Sequence, residues 1–242
     1  MSIDLILCGA SGRLGLEILK EIENDPSIKL VACVSSKNNL NIGKKISEFT
    51  DSSSEIKLKS SLKGVSKSDV ILDVSSPDFF EEIVNFSKSN NLPLIVASTG
   101  HNDEQLSALR KLSQSVPIMI APNLSIGINF IKKIFNSFSF GNLTNDIEIH
   151  ETHHKEKIDS PSGTAIELKT LLESKEEDLN VLVKSFRDDD SVGKHKIILN
   201  MEDETLEITH TANSRKIFAL GAIAAIKWIH RQKSGLYNLS NI

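Results

Sequence analysis

The segment Glu151-Thr152-His153-His154-Lys155-Glu156-Lys157-Ile158-Asp159-Ser160-Pro161-Ser162-Gly163-Thr164-Ala165 concentrates groups that move protons and hold anions. His153 and His154 titrate near neutrality, and Lys157 adds a fixed cation. Ser162-Gly163-Thr164 precedes an apolar pattern that predicts a helix from Thr164 to about Leu172. A hydroxyl cap and the leading backbone N–H groups of that helix make an anion site. A small substrate with two carboxylates suits the segment, one carboxylate against Ser162, Gly163 and Thr164, the other near Lys157, His153 and His154. A competing arrangement is a metal site, because His150, His153 and His154 share one face if the segment is helical. The alternation from Asp146 to Glu151 argues for a strand instead, on which adjacent side chains point to opposite sides, so no metal is expected. The bland alternative is a solvated surface loop.

A second constellation opens the chain. The apolar run Ile3 to Cys8 leads into Gly9-Ala10-Ser11-Gly12-Arg13-Leu14-Gly15 and then a helical pattern through Ile18, Leu19 and Ile22, with a further strand from Leu30 to Val34. Glycines at 9, 12 and 15 let the chain turn tightly and bring amides against a pyrophosphate at the helix N-terminus. The spacing is G-x-x-G-x-x-G, which alone signifies little; the strand before it and the helix after it give it weight. Ser35, Ser36 and Lys37 follow the second strand, where an acidic residue would otherwise bind a ribose diol. Two hydroxyls and a cation suit a 2′-phosphate, which favours NADPH over NADH.

Positioning these groups requires two domains. Strands at Val70 to Val74, Leu94 to Ala97 and Ile118 to Ala121 alternate with helices, one opened by Ser76-Pro77 and running to about Ser89, another capped by Asn102 or Asp103 and ending near Ser115. The polar stretch Asp51 to Ser68, with a short Ile56/Leu58 alternation, is expected to hold a brief edge strand and a connecting turn or helix. This rhythm predicts an α/β fold with an N-terminal Rossmann-like, doubly wound parallel sheet. After Pro122 come a helix from Ile126 to Phe138 and alternating runs at Val181 to Arg187, Lys196 to Glu202 and Leu206 to Thr209. They predict a second, α+β domain carrying an open mixed or antiparallel sheet. The apolar helix Ile217 to His230 is expected to return to the first domain, giving 1–124 plus 212–242 for the dinucleotide and 125–211 for substrate binding and oligomerisation.

Bulk properties exclude several classes. Hydrophobic residues form 39% and charged residues 25% of 242, which is ordinary for a globular chain and far from disorder. A net charge of -4 with dispersed Lys and Arg gives no stripe for nucleic acid. Cys8 and Cys33 sit in apolar runs and imply no disulfide scaffold. The run Ile217 to Ile229 is too short for a bilayer, and Met1-Ser2-Ile3-Asp4 does not read as a signal peptide, so no membrane association and a cytoplasmic location are expected.

The stretch from Glu151 to Ala165 closely resembles the E-x-H-H-x-x-K-x-D-x-P-S-G-T-A signature of the 4-hydroxy-tetrahydrodipicolinate reductases. The glycine turn, Ser98-Thr99-Gly100, Ala121-Pro122-Asn123-Leu124-Ser125-Ile126-Gly127 and His210 to Arg215 are similar to further family segments, so the likeness spans both domains. The resemblance implies that His153 is the acid/base residue and Lys157 a proton donor, the final donor staying open between them. His154, Gly163 and Thr164 would bind the substrate carboxylates. Gly9, Ala10, Ser11, Gly12, Arg13 and Leu14, with Ala97, Ser98, Thr99, Ala121, Pro122, Asn123 and Leu124, would hold NADPH or NADH. It also implies a homotetramer and a place in diaminopimelate and lysine biosynthesis. Two departures stand out: no acidic residue occupies the ribose position, and the loop Arg187 to His195 carries Asp188-Asp189-Asp190 in place of a basic, glycine-rich stretch. Rival readings are another small-dicarboxylate or amino-acid dehydrogenase on the same scaffold, and a non-catalytic nicotinamide-binding regulator, which would need neither His153 nor Lys157.

Overall fold

The computed structural model describes residues 2–65, 68–137, 146–176, 179–189 and 191–242. The chain divides into two compact units, Met1–Leu124 with Lys216–Ile242, and Ser125–Arg215. The second crossing thus falls at Lys216, because the last strand of the second unit runs through Ala212 and a turn follows it.

In the first unit, β1 (Ile3–Cys8), β2 (Ile28–Val34), β3 (Leu58–Lys59), β4 (Val70–Asp73), β5 (Leu94–Val96), β6 (Pro117–Ile120) and β11 (Gly235–Tyr237) form one parallel sheet in the order β11-β6-β5-β4-β1-β2-β3. Helices α1 (Arg13–Ile22), α2 (Phe80–Asn90), α3 (Asp103–Leu112) and α6 (Lys216–Ile229) cover its two faces. The period of two on β1 sorts the core. Leu5 and Leu7 pack with Ile18 and Leu19 of α1 and Ala222 and Ile226 of α6, whereas Ile6 and Cys8 pack with Ile83 of α2 and Leu109 of α3. Each such fully buried aliphatic side chain contributes about 1.5–3 kcal/mol, so losing one layer would release the helices on that side.

Several boundaries differ locally from the sequence reading. Asn102, not Asp103, caps α3, its side chain accepting from Gln105 N at 2.8 Å while Gln105 reaches back to Asn102 N. Pro77 opens a single 3₁₀ turn, Pro77–Phe79, before α2, and the Ser76 hydroxyl makes no capping bond. Strand β11 is an addition: three residues alone carry too little period to be recognised, and pairing with β6 defines them.

The second unit holds β7 (Asp146–His153), β8 (Asn180–Arg187), β9 (Gly193–Asn200) and β10 (Thr205–Ala212) in the order β10-β9-β7-β8, with α4 (Ile126–Ser137) and α5 (Gly163–Glu173). Phe138, expected to end α4, and Asp190, expected in the acidic loop, lie outside the described residues. β9 is antiparallel to β7 and β10, but β7 and β8 are parallel, so the sheet is mixed. The reason is α5, which carries the chain back in a crossover and returns β8 in the direction of β7. Ile147 and Ile149, with Val181, Ile197 and Leu199, form the core under α4 and α5 with Ile131, Leu168 and Leu172. Among the described residues, no helix is long and apolar enough to cross a membrane.

Candidate active site

In the first unit, the loops singled out from the sequence lie at the carboxyl ends of β1, β2, β5 and β6, one edge of the parallel sheet. Pairing of Cys8 with Val34 sets the glycine turn beside Ser35. The Ser11 and Ser35 hydroxyls meet at 2.5 Å, and Asn39 Nδ2 donates to Ser11 Oγ at 2.9 Å. Ser36, Lys37 and Arg13 are exposed at the same rim. Gly9 has φ +88, and a Cβ there would lie 2.5 Å from Val74 O. A Cβ on Gly15 would lie 2.2 Å from Gly9 O, so helix and turn touch backbone to backbone. No side chain caps α1 at Gly12 and no acidic residue lies in its first turn. An uncapped, positively polarised helix start behind a glycine cradle fits a dinucleotide's pyrophosphate.

Beyond β5, Ser98 is buried and Thr99 exposed; after β6, Ala121 and Leu124 are buried and Pro122 exposed, with Asn123 half-buried. Ser98 Oγ donates to the buried Asp73 carboxylate and approaches His101 Nε2 at 2.9 Å. Asp73 also accepts from Ser75 N at 2.9 Å, tying the loops after β4 and β5 together. Asn39, Asp73 and His101 were not singled out by the sequence reading, since none belongs to a recognisable spacing.

In the second unit, the alternation of β7 carries through to His153, so Ile147, Ile149, Glu151 and His153 share the buried face. His150 points to the other face, where it meets Glu148 at 2.6 Å and the edge of Phe186. The three histidines of the metal alternative are therefore not gathered. A different set, Glu151, His153 and His195, brings one ligand atom each within 4.8 Å of one another. Its carboxylate is already engaged: Glu151 accepts from His153 Nδ1 and from Arg187 Nη1, the latter at 3.1 Å. With the Ser185 hydroxyl as a third donor, the carboxylate leaves little reason for a cation to displace them.

Arg187 Nη2 also donates to Asp159 O at 2.8 Å, joining β8 to the segment after β7. That segment turns at once, Lys157 N donating to His154 O at 3.1 Å, with His154 half-buried. Lys157 Nζ pairs with Asp159 Oδ1 at 2.8 Å. This cation comes first among the causes that hold the Asp159 carboxyl below its ordinary range, and the Gly163 N–H adds to it. The Asp159 carboxylate thus takes the two kinds of donor the sequence reading assigned to substrate. A cis Ser160–Pro161 bond leads into α5. Ser162 caps that helix, accepting from Ala165 N at 3.2 Å, and nothing lies within 4 Å of a Cβ built on Gly163. Thr164, half-buried, follows in the first turn.

Burial pushes the His153 imidazole below its ordinary value, and Glu151 opposes that shift. For Glu151, burial works to raise the carboxyl, but hydrogen bonds from Ser185, Arg187 and His153 outweigh it and the net shift is downward. His195, approaching Ser162 Oγ through Nε2 at 3.2 Å and packed edge-on to His153 at 5.2 Å, is pushed down to about 4, chiefly by burial and then by the neighbouring His153. It stays neutral at physiological pH. Glu151 opens the signature, and Arg187 and His195 bound the acidic loop, but the sequence assigns no role to them or to Gly193. The loop from Arg187 to His195 departs from the family pattern, yet its two ends are strand residues that complete this cluster. Parity was the available signal: Glu151 is two residues from His153, and His195 two from Ile197.

The descriptions "Dihydrodipicolinate reductase, N-terminus" and "Dihydrodipicolinate reductase, C-terminus" match residues 3–124 and 127–242. The chain belongs to the dihydrodipicolinate reductase family. It is 37% identical over 249 residues to the 4-hydroxy-tetrahydrodipicolinate reductase of Wigglesworthia glossinidia brevipalpis, covering 100% of this chain and 93% of that one. It is 34% identical over 262 residues to the enzyme of the same name from Buchnera aphidicola subsp. Cinara cedri (strain Cc), covering 98% and 96%. The dipicolinate-bound dihydrodipicolinate reductase of Paenisporosarcina sp. TG-14 superposes with a TM-score of 0.82 at 24% identity, covering 100% of both chains, which shows the shared fold. As a member of this family, the chain is an oxidoreductase that uses a nicotinamide cofactor.

Proposed function

We propose that this chain reduces 4-hydroxy-tetrahydrodipicolinate, by way of dihydrodipicolinate, to tetrahydrodipicolinate in the diaminopimelate route to lysine. The observation that carries the proposal is the gathering of a carboxylate-held imidazole, an ammonium group and an open helix start within residues 151–165. When bound, NAD(P)H would supply a hydride to C4 of the conjugated cyclic imine, and the electron pair displaced toward the ring nitrogen would have to be met by a proton. His153 and Lys157 are the groups to deliver it. Lys157, His154, Ser162, Gly163 and Thr164 hold the two substrate carboxylates, displacing Asp159 from Lys157 and from the Gly163 N–H. In this reading the second unit is the substrate domain.

The first unit binds the cofactor through Gly9, Ala10, Ser11, Gly12, Arg13 and Leu14, with the loops Ala97 to Thr99 and Ala121 to Leu124. Ser35, Ser36 and Lys37, with Arg13 at the same rim, favour the 2′-phosphate of NADPH. The ratio of kcat/KM for the two cofactors tests this; a strong preference for NADH overturns it. A homotetramer and a cytoplasmic location complete the reading. The half-exposed Leu182, Phe186 and Leu206 support self-association, which sedimentation measures.

The deciding experiment follows NAD(P)H oxidation with freshly generated substrate in wild type, His153→Ala and Lys157→Ala. Each variant is expected to lose about a hundredfold or more in kcat while the KM for cofactor stays near wild type. Undiminished turnover in both removes these residues from the reaction.

A further inference from the structure

We propose that Glu151 is a positioning residue for proton transfer: it grips the His153 ring at Nδ1, so that the exchangeable proton of the reaction enters and leaves at Nε2. The inference rests on the reading of His153 as the acid/base group.

Glu151 is fully buried, between the aliphatic cluster of Ile147, Ile149, Val181 and Ile197 and the polar His153, with Ser185 and His195 as its cross-strand neighbours. A carboxylate in such surroundings carries a large desolvation cost, which a purely apolar residue would avoid. Its two oxygens are shared among Arg187 Nη1, His153 Nδ1 and the Ser185 hydroxyl. An ionised carboxylate only accepts, so Nδ1 must carry hydrogen in the neutral as well as the cationic ring. Nε2 is then the one position that changes protonation.

The surroundings of the ring agree. A Cβ built on Gly193 would stand 3.2 Å from His153 Nε2, so the absent side chain leaves clearance there. Asp188 N donates to His153 O at 2.9 Å and fixes the backbone at the end of β7. Arg187 keeps the carboxylate from turning by holding Glu151 Oε1 and Asp159 O together. The charged and titratable groups facing His153 are Glu151 on its own strand, Arg187 on β8, His195 on β9 and Lys157 in the following turn. Of these, Glu151 alone pulls the imidazole toward its protonated form.

Glu151→Gln discriminates. An amide offers one oxygen to the three donors that now share a carboxylate, and its NH2 faces those left over. Nitrogen-15 NMR of the histidine side chains reads the tautomer directly. In wild type, neutral His153 is expected in the Nδ1–H form. In E151Q a population of the Nε2–H form appears, the titration midpoint moves to lower pH, kcat falls about a hundredfold, and both KM values change less than about threefold. Glu151→Asp, which keeps the charge, retains part of the activity. A wild-type ring in the Nε2–H form overturns the proposal without any variant. So does E151Q with wild-type tautomer and kcat. If His153→Ala still turns over, the functional reading fails instead, while the tautomer result stands on its own.

Discussion

Replacing Gly15 by alanine tests the claim that the cofactor site depends on backbone contact between α1 and the glycine turn. The added Cβ would sit 2.2 Å from Gly9 O and 2.8 Å from both Ala10 C and Ala10 Cα, all main-chain atoms without a rotamer to escape into. Ordinary carbon contacts begin near 3.5 Å, so α1 and the turn must separate by roughly 1 Å. Overpacking of this kind costs about 1–3 kcal/mol, and relief of the glycine's entropic penalty in a helix returns about 0.5–1 kcal/mol. The net loss, about 0–2.5 kcal/mol, corresponds to a fall in Tm of up to about 10 °C for a chain of this length. The larger effect falls on the cofactor, because a shift of that size carries the helix-start amides away from the pyrophosphate. Titration of NADPH by its fluorescence should give a Kd at least about tenfold weaker, while the KM for the proposed dicarboxylate substrate, assigned to the second unit, should stay near wild type. A wild-type Kd together with a wild-type Tm would refute the contact as the basis of binding.

Gly193→Ala brings a Cβ to 3.2 Å from His153 Nε2, and a ring held by Glu151 cannot swing aside, so kcat should fall about three- to tenfold with little change in Tm. His195 gives a pH dependence of stability. Its folded pKa of about 4 lies below the unfolded value of 6.5, so the unfolded chain binds more protons between them, and stability present above pH 6.5 is lost as pH falls toward 4. Urea unfolding at pH 5 should show a deficit of about 2 kcal/mol from this group relative to pH 7, reduced in His195→Gln; equal pH dependence in both proteins would rule His195 out. Asp159→Asn removes the carboxylate that Lys157 now holds, and if that carboxylate occupies the substrate's place, the substrate KM should fall about two- to fivefold, the scale of one exposed ion pair. A raised KM would mean that Asp159 orients Lys157 for the substrate rather than competing with it.

Local order along the chain was enough to establish the alternating first unit, the glycine turn and the segment from Glu151 to Ala165, because each depends on neighbours within a few residues: a period of two or 3.6, a cap, a tight turn. The alternation up to Glu151 argued against the three-histidine arrangement, and in the structure it runs on to His153, which lies on the face opposite His150. What the sequence could not decide was which distant strand would lie beside which. The parallel pairing of β7 with β8 follows from the crossover through α5, and it brings Arg187, 36 residues away, onto Glu151. The antiparallel pairing of β7 with β9 brings His195 to the ring of His153 and Gly193 over its Nε2. Strand order and register are collective outcomes of packing, so residues that look like an acidic loop and an ordinary alternating run come to surround Glu151 and His153 only when the sheet assembles.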